Sequence, residues 1–90
     1  MRRIVLTSLL LGLSVVAARA DRLCVVADPS GTPLNVRSGP HGRILGALHN
    51  GAAVRLLDST RDETGRPWAF VAPRHGGRSG WVYRGYIECE

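Results

Sequence analysis

Glycine and proline interrupt this chain so often after residue 28 that no stretch long enough for a helix sustains a 3.6-residue apolar period. What is left between the breaks are short apolar runs. Leu23–Ala27, Leu34–Arg37, Arg43–Leu48, Ala53–Asp58, Pro67–Ala72 and Trp81–Arg84 read as strands, and the polar or glycine-rich stretches between them read as turns. Ile44 and Leu48 are expected on one face of their strand, with Gly46 suiting a bulge or tight bend between them. In Ala53–Asp58, Val54 and Leu56 alternate against Arg55 and Leu57, and Ser59–Gly65 is expected to be the hairpin connection. Short strands at this spacing argue a small all-β barrel or sandwich.

The first twenty residues stand apart from that pattern. Arg2 and Arg3 precede an uncharged run from Ile4 to Ala18, and Ala18-Arg19-Ala20 has the small-x-small form of a cleavage site. The run is shorter than the roughly 20 residues that cross a bilayer, so a cleavable signal peptide over 1–20 is the expectation, with no stable membrane insertion after cleavage. Asp21 would then open a single domain over 21–90, periplasmic or secreted.

Removing the leader alters the charge balance. The chain carries 12 basic and 7 acidic residues for a net +5; without Arg2, Arg3 and Arg19 the excess falls to +2, scattered singly along the chain. A nucleic-acid binder would gather its cations on one face, so no nucleic-acid partner is expected. A domain this small seldom stands on its core alone. Cys24 and Cys89, near the two ends of the expected mature chain, are the natural staple in an oxidising compartment. Closing a loop of about 65 residues stabilises by on the order of 4 kcal/mol in the chain-entropy model.

Chemistry-bearing residues are sparse. His41, His49 and His75 fall in or beside turns without the close spacing of a zinc site, so neither a metal nor another cofactor is expected. Gly77-Arg78-Ser79-Gly80-Trp81 has tryptophan where the last glycine of a nucleophile elbow belongs. Asp62 and Glu63 are adjacent, so they would diverge in a strand or face solvent in a turn, rather than converge on one cleft as acid and base. The expectation is therefore a non-catalytic protein.

Four strings in order, LNVRSGP (34–40), RILGALHNGAAVRLL (43–57), PWAFV (67–71) and GRSGWVYRGYI (77–87), make the chain similar to the bacterial SH3-like domain over about Cys24 to Cys89. The turns over Ser59–Arg66 and Pro73–Ser79 look longer than the family's, and its terminal cysteine pair is not a general family feature. The resemblance implies an SH3-like barrel of five to six short antiparallel strands, with a one-turn helix before an aromatic at Tyr86. It also implies binding: recognition of cell-wall peptide or peptidoglycan or, as the alternative, interaction with an exported protein as inhibitor or accessory partner.

Alternation places Trp68 and Phe70 on one face and Ala69 and Val71 on the other. By resemblance the small-residue face turns inward and leaves Trp68 partly outward. The expected ligand groove comprises Trp68, Tyr83 and Tyr86, with Arg37 and Arg43 near its edge; the other reading is that these aromatics only cover a small core. Arg37 is read first as a donor to turn carbonyls at the Gly39-Pro40 corner and second as a ligand-facing cation.

Overall fold

The computed structural model describes residues 21–90, and the expected leader over 1–20 lies outside the described residues. Seven strands form one antiparallel sheet: β1 (Arg22–Val26), β2 (Leu34–Arg37), β3 (Ile44–Leu48), β4 (Ala53–Arg61), β5 (Pro67–Pro73), β6 (Gly80–Tyr83) and β7 (Ile87–Cys89). A one-turn 3-10 helix, Arg84–Tyr86, separates the last two. Spatial order is β3-β2-β6-β5-β4-β1-β7.

The strand count exceeds the expected five to six because Ile87–Cys89 returns beside β1, setting Cys24 opposite Cys89. These two cysteines form the disulfide. The other revision is in β4, which runs on to Arg61 instead of ending at Asp58. Ser59, Thr60 and Arg61 pair with Ala69, Trp68 and Pro67 of β5, so the connection is shorter than the polar composition of 59–65 implied.

One face of the sheet supplies the main core cluster. Cys24, Val26, Leu34, Val36, Val54, Leu56, Ala69, Val71, Val82 and Ile87 form a single buried cluster, drawn from every strand except β3. A flat sheet cannot bring one face against itself, so this cluster requires the sheet to curl into a barrel. The two strands β6 and β2 meet over a short junction. Only Arg37 and Trp81 pair across that junction, and a Cβ at Gly80 would lie 2.6 Å from Val36 Cγ1 and 2.7 Å from the Arg37 carbonyl oxygen. Glycine is required there because the two backbones touch.

A bulge in the β2–β3 hairpin changes the parity of β3. Val36 pairs with Gly46 but Arg37 pairs with Ile44, leaving Leu45 as the extra residue. Ile44 therefore turns outward and is 51% exposed, while Leu48, across from Leu34, packs on the core. The expectation that both would share a face fails for this reason: strict alternation does not survive an inserted residue.

Candidate functional site

The turn after β4 is organised by one carboxylate. Asp62 Oδ1 accepts from the Thr64 amide at 2.9 Å, the Thr64 hydroxyl at 2.6 Å and the Arg66 amide at 3.0 Å. Its Oδ2 accepts the Trp68 indole Nε1–H at 3.0 Å and lies 2.8 Å from His41 Nε2. A carboxylate can only accept, so that imidazole nitrogen carries the proton. Asp62 was expected to face solvent; instead its side chain is fully covered, because five donors converge on it. The Thr64 hydroxyl first and the Trp68 indole next hold its carboxyl well below the ordinary carboxylate range, against the opposing effect of burial.

His41 reaches this carboxylate from a backbone with φ of 60°, a conformation non-glycine residues adopt at some energetic cost. Its ring meets the Trp68 ring edge-on, with centroids 5.2 Å apart. Trp68 packs in turn on Tyr83 at 4.4 Å with the rings tilted by 45°, and Tyr83 meets Tyr86 edge-on at 5.5 Å. The Arg66 guanidinium lies 3.6 Å over the Tyr83 ring, a cation–π contact. The result is a continuous aromatic row backed by the Asp62 turn.

That row overturns the expected exposure of Trp68. The residue does sit on the opposite side of β5 from buried Ala69 and Val71, yet it is only 1% exposed, since His41, Tyr83 and the Asp62 turn close over it. Tyr83 and Tyr86 remain half-buried and line a cleft of about 120 Å³. Four of the five residues anticipated for a groove, Arg37, Trp68, Tyr83 and Tyr86, line this cleft, together with Asp28, Thr32, Pro33, Leu34 and Asn35. Arg43 is not among them. Its exposed position belongs to the β2–β3 turn, where its carbonyl accepts from the Ser38 amide and its amide donates to Ser38 Oγ.

Arg37 donates to the Gly42 carbonyl at 2.8 Å, so it ties the turn of residues 38–43 to the cleft wall; its remaining N–H groups are left for other acceptors. The opposite wall is fixed by Asn50, whose side-chain oxygen accepts the Asp28 amide and whose amide donates to the Thr32 carbonyl at 3.2 Å. Asp28, in turn, uses Oδ1 to hold the Ser30 amide and hydroxyl. Sequence reading weighed His41 only as a metal ligand and Asp62 only as a catalytic acid or base, and passed over Asp28 and Arg66. The readable signal was in Asp62-Glu63-Thr64-Gly65 and Asp28-Pro29-Ser30-Gly31, each with the aspartate and hydroxyl spacing of an Asx turn.

His41, Asp62 and Glu63 also bring one potential metal-ligand atom each to within 4.8 Å of one another. Both Asp62 oxygens already serve donors, so holding a cation there would break the bonds that shape the turn. Among the described residues, no helix is long and apolar enough to cross a membrane.

Residues 32–88 match the family model of the bacterial SH3 domain. Neither the curated proteins nor the solved structures contain a match to the chain.

Proposed function

The chain belongs to the bacterial SH3 domain family, a family of binding modules, and on that premise we propose that it is an exported module binding cell-wall peptide through the cleft of Tyr83, Tyr86 and Arg37. The observation that carries this reading is the combination of aromatic rings, one cation and one carboxylate around a single preformed cleft. Arg37 matches a ligand carboxylate and Asp28 an ammonium, while Tyr83 and Tyr86 offer flat apolar contact with hydroxyl tips. Short cell-wall peptides carry all three kinds of group. Export is supported by the Cys24–Cys89 disulfide, which persists in oxidising compartments. Nothing in this mode of action needs bond chemistry; affinity alone performs it.

The Asp62 hub makes the cleft rigid before a ligand arrives. Every rotamer held in advance lowers the ordering cost of binding by about 0.5–1.5 kcal/mol. Trp68, fully buried and bonded to Asp62, supports the floor, and the half-exposed tyrosines make the contact.

Insoluble peptidoglycan tests the proposal by co-sedimentation. The protein is expected to pellet with it, and Tyr86→Ala is expected to weaken that binding at least tenfold, on the order of 1.4 kcal/mol, with near-UV circular dichroism retained. A protein that stays in the supernatant under all conditions overturns the cell-wall reading. The second reading, an exported protein partner, is favoured by Leu23, Val25 and Leu57, all more than a third exposed on the outer face of β1 and β4.

A further inference from the structure

The molecule has a second concavity that shares no lining residue with the aromatic cleft. It measures about 470 Å³ and lies between β3 and the β5–β6 turn. Its origin is a missing side chain. On the inward face of the β2–β3 hairpin, Leu34 pairs with Leu48 and Val36 with Gly46. Position 46 should therefore fill the space over Val36, yet a Cβ built there has no heavy atom within 4 Å. In a chain with so few core residues, an inward position left empty forfeits apolar contact that a methyl-bearing residue would supply.

The walls define what fits. Val36, Leu48, Ala52, Ala53 and Pro73 give an apolar floor, while His49, His75 and Arg78 stand exposed at the lining. Each of these three offers N–H donors, and no carboxylate lines the cavity. The volume lies within the range of about 300–1,000 Å³ used by small-molecule sites. Gly76 and Gly77, with φ of 97° and 116°, carry the far wall around the opening without side chains.

We infer that this cavity, opened by Gly46 and rimmed by His49, His75 and Arg78, is a binding site for a small amphiphilic carboxylate whose apolar body packs on Leu48, Ala52 and Pro73. Charge complementarity selects the anionic head, and the half-buried apolar surface of Leu48, Ala52, Ala53 and Pro73 selects the apolar body. The site is independent of the cleft proposed for cell-wall peptide.

Decanoate, decanol and decyltrimethylammonium, each kept below its micellar concentration, form the probe set. Heteronuclear NMR of the full protein reads the amides of Gly46, Gly76 and Gly77. Decanoate is expected to shift these amides saturably and to bind about tenfold more tightly than decanol, the ratio set by one charge-assisted hydrogen bond; the ammonium probe is expected to bind more weakly still. Gly46→Val should weaken both decanoate and decanol by narrowing the cavity, and Arg78→Ala, at an exposed position unrelated to the core, should weaken decanoate about threefold or more while leaving decanol unchanged. Equal binding of decanoate and decanol, or shifts centred on Tyr83 and Tyr86 in place of Gly46, overturns the assignment. If Gly46→Val fails to fold, the paired comparison of Arg78→Ala on the two probes makes the same decision.

Discussion

The two turns that flank β5 solve the same connection in opposite ways. The turn from Asp62 to Arg66 is strapped by a buried carboxylate with five donors. The turn from Arg74 to Ser79 relies on two consecutive left-handed glycines and makes no side-chain hydrogen bond among the described residues. The first holds Trp68 from behind, and Trp68 lines a small aromatic cleft of about 120 Å³; the second itself borders an open apolar cavity of about 470 Å³. A buried charge can persist only when its lone pairs are satisfied, so the Asp62 side admits one arrangement. Glycines impose no such condition. The difference shows how a domain of this size can devote one end to preorganised polar recognition and leave packing incomplete at the other.

Truncating the centre of the strapped side should have the largest effect. Trp68→Ala removes a fully buried ring and leaves Asp62 short of a donor, and a loss of about 3–5 kcal/mol is expected by urea denaturation. A loss under about 1 kcal/mol would mean that the row from His41 to Tyr86 is decoration and not support.

A pH series sharpens the comparison next. Because folding depresses the Asp62 carboxyl from its ordinary 3.8, the unfolded chain binds more protons in acid. The stabilisation is therefore complete above the ordinary carboxylate range and fades as pH falls through it towards the folded value. Asp62→Asn should lower Tm near neutral pH, since its NH2 group confronts donors, and the gap from the parent should narrow below about pH 4. A gap independent of pH would remove the charge from the account.

The smallest effects come from a pair of identical substitutions with opposite surroundings. Gly80→Ala, against Val36 and the Arg37 carbonyl, is expected to destabilise by about 1–3 kcal/mol. Gly46→Ala, with open space around its Cβ, should be neutral or stabilising by up to about 1 kcal/mol. Equal losses at both positions would contradict the assignment of Gly46 to an unfilled cavity.

Much of this was readable from the chain. Val54 and Leu56 on one face against Arg55 and Leu57, and Ala69 and Val71 sharing a face on β5, follow from local alternation, which needs only near neighbours in sequence; that the Ala69 face turns inward, and that a one-turn helix stands at Tyr86, came from the family resemblance. The gathering of Arg37, Trp68, Tyr83 and Tyr86 around one cleft was anticipated from the family-like strings. Arg43 was read into that edge as well; it belongs to the β2–β3 turn, bonded to Ser38, and does not line the cleft.

What the sequence determined alone was a chain of short strands in which one face of most strands had to be buried and whose two cysteines had only each other. Tertiary structure decided the remainder. Trp68 is hidden because a carboxylate six residues away and a histidine 21 residues from that carboxylate meet over it. Ile44 turns out and Gly46 turns in because a bulge set by pairing with β2 shifts the alternation by one. Local propensity fixes which side chains share a face; only non-local pairing fixes what, if anything, covers that face.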